Sequence, residues 1–111
     1  MTSLADSDCV PDRGIQQPLS ADEIAALAPQ IPQWAILEKD GEKRLERSFK
    51  FKDFAGALAF TQRVGALAES QDHHPLIVTE WGGVTVQWWT HKVKGLHRND
   101  FIMAAKVDLL I

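Results

Sequence analysis

The sequence has 111 residues, which suit one compact domain and are too few for two of ordinary size. Its 45% hydrophobic and 24% charged residues exclude a disordered or fibrous chain, and its formal net charge of −3 argues against a surface that binds duplex nucleic acid. Cys9 is the only cysteine, which excludes an intrachain disulfide and a four-cysteine zinc site and favours a reducing, cytoplasmic location.

Residues 1–18 are polar, carry proline and glycine, and show no apolar periodicity. They predict a flexible N-terminal tail, and their acidic residues do not fit a secretory signal. A single domain is expected over residues 19–111. No apolar run in the chain reaches the roughly 18 residues that a membrane-spanning helix needs.

The first expected element is a short helix that begins at Ser20. Ser20-Ala21-Asp22-Glu23 is a capping-box pattern, in which the first and fourth residues each bind the other's backbone N–H group. Pro29 and Pro32 limit the length of this helix, because proline interrupts the hydrogen bonds of a helix interior.

A β-hairpin is expected next, with strands over 34–38 and 43–51 joined by a turn at Asp40-Gly41. On the second strand three apolar residues share one face: Leu45, Phe49 and Phe51. Arg47 interrupts that face without an explanation from the sequence. Acidic residues alternate with the basic ones of this strand, which favours a solvated face over a nucleic-acid patch.

The longest predicted helix covers residues 53–70, with Asp53 as its N-terminal cap. Apolar and small residues recur at three- and four-residue spacing and predict one buried stripe. The stripe contains Phe54, Leu58, Thr61, Val64 and Ala68.

A second hairpin is expected from strands over 76–81 and 84–90, with Gly82-Gly83 as its turn, and a last helix over 100–110. The resulting order is α-β-β-α-β-β-α. Tightly joined strand pairs separated by helices predict an α+β fold of two layers, in which helices pack on one face of a four-stranded antiparallel sheet.

Histidines from separate elements meet in this arrangement. A Gly82-Gly83 turn places His74 opposite His91, and opposed residues have Cβ atoms about 4.5–5.5 Å apart. His91 shares its strand face with Trp89, whereas the more apolar residues of that strand point to the other face and are assigned to the core: Val84, Val86 and Trp88. An exposed Trp89 is expected to form a wall for a flat heterocycle.

Two other interpretations of the histidines stay open. A histidine beside a turn is commonly a polar surface residue. A zinc site formed by His73, His74, His91 and Asp100 is the second alternative. It is disfavoured because neighbouring residues of an extended chain project to opposite sides, so His73 and His74 do not easily share one ion. We therefore do not expect a metal site here.

The spacing of these residues resembles a known signature. Asp72-His73-His74-Pro75, five residues, Trp81, nine residues, His91, eight residues and Asp100 resemble the pattern of the pterin-4a-carbinolamine dehydratase family in order and spacing. The resemblance covers about residues 19–111. Asp72 departs from it, since lysine or glutamate is frequent there, and so does His97, which replaces a small hydroxyl residue.

The resemblance implies a cofactor-free dehydration of a 4a-hydroxytetrahydropterin to a quinonoid dihydropterin. His73 and His91 are the implied acid–base pair, and His74 is the implied contact to the 4a-hydroxyl group. Asp100 would orient a histidine or bind the edge of the pterin, and Pro75 would fix how the histidine pair is presented. The supporting residues are Asp72, Pro75, Trp89 and Asp100. Trp81 is assigned either to the core or to a ligand.

The expected partners are a small pterin and a second copy of the chain, with no direct contact to nucleic acid or membrane. The edge strands of an open sheet favour a homodimer, and a tetramer is possible. The alternative function is a protein-binding module, because some members of the family act as dimerisation cofactors of a homeodomain transcription factor. An apolar C-terminal patch would favour it: Phe101, Met103, Leu109, Leu110 and Ile111.

Overall fold

The computed structural model describes residues 3–111, apart from the side chain of Asp12. The described chain has three α-helices and four β-strands in the predicted order. They are α1 (Ala21–Leu27), β1 (Ala35–Lys39), β2 (Glu42–Lys50), α2 (Phe54–Gln71), β3 (Leu76–Glu80), β4 (Gly83–Trp88) and α3 (Arg98–Asp108). The strands form one antiparallel sheet in the order β1-β2-β4-β3. The predicted α+β fold is confirmed. No helix within residues 3–111 is long and apolar enough to cross a bilayer.

Helices α2 and α3 pack on one face of the sheet, and β4 lies beneath them. The side chains of β4 that point to the helices are fully buried: Val84, Val86 and Trp88. Thr85 and Gln87 point to the opposite face and are half-buried. The assignment of faces from the alternation of apolar residues is therefore confirmed.

Local patterns in the first half of the chain form the structures that they predict. Ser20 and Glu23 form the capping box of α1, and the Ser20 N–H group donates to the Glu23 carboxylate (2.9 Å). This hydrogen bond lowers the pKa of Glu23 below its ordinary value. Asp40 and Gly41 both have positive φ, as the predicted two-residue turn requires.

Arg47 lies on the helix-facing side of β2 because its charge has a partner there. Its guanidinium group donates to the Asp108 carboxylate at the end of α3 (2.6 Å) and lies 4.6 Å from the centre of the Phe49 ring. The indole of Trp34 donates to the same carboxylate (2.8 Å). A polar pair thus connects the sheet to the last helix at the edge of the core.

Helix α2 begins after Asp53, whose carboxylate accepts from the Gly56 N–H group (2.8 Å). The predicted buried stripe is wrong in its first half, because Phe54 and Leu58 are 46% and 42% exposed. The stripe that faces the sheet consists of Ala57, Phe60, Val64 and Ala68. Alanine and other apolar residues occur around most of this helix, so periodicity did not determine its rotation.

The second hairpin also differs from its prediction. Its turn is Trp81-Gly82, with Gly82 at positive φ, whereas Gly83 belongs to β4 and pairs with Glu80. The predicted pairing is therefore displaced by two residues, which leaves every side chain on its predicted face. Trp81 is 73% exposed, so it is not a core residue. Two adjacent glycines suit a turn equally well, and only the sheet contacts select one.

The sequence predicts a flexible N-terminal tail, and the described part of this segment packs against the domain. Leu4 is fully buried against α3, and Ile15 is buried as well. The Leu19 N–H group donates to the Leu96 carbonyl (2.8 Å) and joins the segment to the body of the domain. Isolated apolar residues gain burial here without producing a periodic pattern. The predicted tail includes residues 1–2, which lie outside the described residues.

Phe60→Ala should lower the free energy of unfolding by about 3–5 kcal/mol, because the ring fills the core between Phe49 and Phe51. Phe54→Ala on the same helix is the matched control and should cost about 1 kcal/mol or less. Urea denaturation of both variants measures the difference. Equal losses would contradict the rotation of α2 described above.

Candidate active site

A cavity of about 130 Å³ lies at the end of the second hairpin, away from its turn. The structure brings five of the predicted site residues together in its walls: Asp72, His73, His74, Trp89 and His91. Three of them come from the loop between α2 and β3, and two come from the chain that follows β4. Pro75 lies directly before β3 and is not among the residues that line this cavity.

The loop that carries the histidine pair is shaped by the end of α2. Asp72 adopts the left-handed conformation (φ 51°), and its N–H group donates to carbonyl groups of the last helical turn. Aspartate tolerates this conformation better than most residues. The His73 N–H group donates to the Ala68 carbonyl (3.2 Å), so the chain reverses tightly before it enters β3.

His73 is the buried member of the pair. Its Nε2 atom lies 2.6 Å from Oδ1 of Asp100, and its ring stacks on Trp88 at a centroid distance of 5.6 Å. An ionised carboxylate can only accept a hydrogen bond, so Nε2 donates. The neutral ring is then the Nε2–H tautomer, with its lone pair on Nδ1.

Asp100 lies behind His73 and is fully buried in the first turn of α3. Its second oxygen accepts from the Thr90 hydroxyl (2.8 Å) and from the His97 N–H group (2.9 Å). Three donors on one carboxylate compensate the loss of hydration, and the N-terminus of α3 favours negative charge. Because it is buried, Asp100 contacts the histidine rather than the open cavity.

His74 and His91 are the exposed members of the set. His74 has a different partner from His73: its Nε2 atom lies 3.0 Å from the Glu69 carboxylate. His91 begins a short 3-10 helix (His91–Val93), and its ring centre lies 4.7 Å from that of Trp89. The adjacent histidines thus contact different carboxylates, although both line the cavity.

The register of the hairpin does not place His74 opposite His91. Leu76 pairs with Gln87, and the same register carried back two residues puts His74 level with Trp89. His91 nevertheless lines the cavity, because the chain leaves the strand after Trp88 and turns. The neighbourhood was predicted, and the pairing within it was wrong.

Trp89 is buried rather than exposed, which corrects a second expectation. The Arg44 guanidinium group lies 3.8 Å from the centre of its ring and donates to the Gln87 side chain (3.2 Å). Gln87 in turn donates to the Glu46 carboxylate (2.6 Å). This polar row covers the indole and holds it as a rigid wall of the cavity.

Three residues of this environment were missed in the sequence. Thr90 and Glu69 bind Asp100 and His74, and Arg44 covers Trp89. In the sequence, only their proximity to the histidine motif or their position on the open sheet face could have indicated these residues. Among residues 3–111, the His, Cys, Asp and Glu side chains form no group of three that could hold a metal ion.

The sequence matches the family model described as pterin 4 alpha carbinolamine dehydratase over residues 17–110. The chain belongs to this family. Similar bacterial proteins carry the provisional name pterin-4-alpha-carbinolamine dehydratase. The one from Syntrophotalea carbinolica is 59% identical over 112 residues, which cover 100% of this chain and 99% of that protein. The one from Chlorobium limicola is 56% identical over 106 residues, covering 96% and 94%.

Two solved structures share the dehydratase fold. A protein from Brucella melitensis, described as a transcriptional coactivator/pterin dehydratase, superposes with a TM-score of 0.74 at 32% identity, covering 85% of this chain and 98% of that one. A pterin dehydratase-like protein identified as a RuBisCO assembly factor in the alpha-carboxysome has a TM-score of 0.59 at 25% identity, covering 70% and 88%. The family thus includes members described by roles other than dehydration.

Asp100→Asn should lower the free energy of unfolding by about 1–3 kcal/mol. In the parent protein both carboxylate oxygens accept hydrogen bonds, whereas in the variant the NH₂ group would face a donor and could not accept its hydrogen bond. Asp108→Asn is the control, since Asp108 also accepts two side-chain hydrogen bonds but is partly exposed, and it should cost about 1 kcal/mol or less. Urea denaturation of both variants provides the comparison. An Asp100→Asn variant as stable as the parent would contradict the buried network.

Proposed function

We propose that this chain dehydrates a 4a-hydroxytetrahydropterin, the 4a-carbinolamine, to a quinonoid dihydropterin by histidine general acid–base catalysis. The product would re-enter the cycle of a pterin that an aromatic amino acid hydroxylase consumes. The observation that carries the proposal is one cavity lined by His73, His74 and His91, with a buried carboxylate behind the first. Membership of the family supports dehydratase activity on pterin carbinolamines in general.

The reaction needs one proton delivered and one removed. The C4a–O bond breaks, and the leaving hydroxide is protonated to water. The N5 proton departs as the bond between N5 and C4a becomes double, so no electrons are gained or lost overall. Imidazole titrates near neutral pH and can serve as either acid or base.

In the proposed arrangement His73 and His91 form the acid–base pair, and His74 contacts the 4a-hydroxyl group. The Asp100 carboxylate orients the His73 ring and stabilises its protonated form when a proton arrives. His91 faces solvent and can exchange protons with it. No metal or other cofactor is needed for these steps.

The remaining supporting residues shape the site. The Trp89 indole lines the cavity beside His91 and would contact the pterin ring there. Asp72 ends α2 in the left-handed conformation, and Pro75 starts the path into β3. Together they present the histidine pair between a helix and a strand.

A binding module of the same fold is the second candidate, and the structure favours it less. Phe101 and Met103 belong to the buried core and cannot contribute to an interaction patch. Leu109 and Ile111 are exposed, but two side chains at the end of the chain form a small surface.

The direct test is the rate of 4a-hydroxytetrahydropterin dehydration, followed by ultraviolet absorbance. The parent protein should accelerate the reaction by roughly 10²–10⁴, the usual contribution of general acid–base catalysis to a rate. The variants His73→Ala, His74→Ala and His91→Ala should each lose most of this acceleration. Trp81→Ala is the control, since Trp81 is exposed at the far end of the hairpin. A folded parent protein that leaves the buffer rate unchanged would refute the dehydratase proposal.

We also propose that the chain forms a homodimer through β3. This strand is an edge of the sheet, and its Leu76 and Val78 side chains are 42% and 48% exposed. A tetramer would need a second surface, separate from β3.

The parent protein should be a dimer and the Val78→Lys variant a monomer, because the substitution puts a charge at the proposed contact. Light scattering coupled to gel filtration measures the mass. Thr85→Lys, on the same sheet face but on an inner strand, is the control and should remain a dimer. A monomeric parent protein would contradict the proposal.

A further inference from the structure

A short stretch of the N-terminal segment is hydrogen-bonded to the end of α2 and to the start of α3, next to the buried histidine–carboxylate pair. We call residues 8–10 the N-terminal strap. The Cys9 N–H group donates to the Gln71 side chain (2.8 Å), and that side chain donates to the Asp8 carboxylate (3.2 Å). The Val10 N–H group donates to the Asn99 side chain (3.0 Å), which donates back to the Val10 carbonyl (2.8 Å).

The two side chains that hold the strap occupy particular positions. Gln71 is the last residue of α2 and lies two residues before His73. Asn99 lies in the first turn of α3, directly before Asp100. The strap therefore joins the end of α2 to the start of α3, and the bond from His73 to Asp100 is formed beside these same two helix ends. It lies outside residues 17–110, which the family model matches.

Asn99 is almost completely buried, so its amide group depends on the strap for hydrogen bonds that water cannot supply. A buried amide group without partners is costly, and the Val10 backbone satisfies both its oxygen and its nitrogen. Gln71 is half-buried and adds the bond at the other end. The Asn99 side-chain amide and the Val10 backbone thus form two reciprocal hydrogen bonds that connect α3 to the strap.

The distance that the strap would control is the 2.6 Å contact from His73 Nε2 to Asp100 Oδ1. The carboxylate is held within the start of α3 and by Thr90, whereas His73 belongs to the loop after α2. Movement of α2 relative to α3 would lengthen this contact. A misplacement of about 1 Å can cost a catalytic group as much as 10² in rate.

We propose that Asn99 and Gln71 are positioning residues, which act through the backbone of the strap to hold His73 against Asp100. The inference rests on the proposed function for its effect on rate, although the geometric part does not require a substrate. Neither residue lines the cavity. Their loss should therefore lower kcat and leave KM nearly unchanged.

The test compares Asn99→Ala and Gln71→Ala with the full-length parent protein. In protein with ¹⁵N-labelled histidine and no ligand, NMR measures the exchange of the His73 Nε2–H proton with water. We expect exchange about tenfold faster in both variants, since the contact opens more often. The dehydration assay should show kcat reduced roughly tenfold in the same variants.

Val84→Ala separates positioning from general stability. Val84 is buried at the far end of β4, beside the turn, so its truncation destabilises the domain without touching the strap. This control should keep the parent exchange rate at His73 and the parent kcat. If it changes both as Asn99→Ala does, or if neither strap variant changes the exchange, the proposal is wrong.

The two readouts keep this proposal distinct from the proposed function. A parent protein without dehydratase activity, whose His73 exchange still rises in the strap variants, would refute the function and support the positioning role. If Asn99→Ala does not fold, Gln71→Ala decides the outcome by the same measurement, because its side chain is only half-buried.

Discussion

A carboxylate with no exposure to solvent organises this domain. Asp100 receives hydrogen bonds from His73, Thr90 and the His97 backbone, which belong to the loop after α2, the chain after β4 and the start of α3. Burying an anion is costly unless such donors surround it, so three separate parts of the chain must meet at this point. The site is therefore inseparable from the packing of the fold.

The cavity in front of this carboxylate combines one anchored imidazole with two that face solvent. His73 is held by Asp100 and by the Trp88 ring, whereas His74 and His91 are exposed to solvent. In the proposed reaction, the fixed group would set the geometry and the exposed groups would exchange protons with water. Trp89, covered by Arg44, also lines the cavity.

Most of the N-terminal segment lies outside the part of the chain that the family model matches, and it also contacts the elements around the site. It buries Leu4 against α3 and places Cys9 and Val10 between Gln71 and Asn99. Each of these polar side chains precedes a residue of the buried pair or its loop. A segment without apolar periodicity can therefore be structurally coupled to the site through single, well-placed contacts.

The features that depend on neighbouring residues could be predicted from the sequence. They include the caps at Ser20 and Asp53, the turn at Asp40-Gly41 and the faces of the strands. The spaced histidine motif, through its resemblance to a family, also identified the residues that line the cavity. The sequence did not predict four other features: the rotation of α2, the two-residue shift of the second hairpin, the burial of Trp89 and the packing of residues 3–18. Each of these depends on contacts between distant segments, where several local solutions have similar energies and the gain from burial selects one.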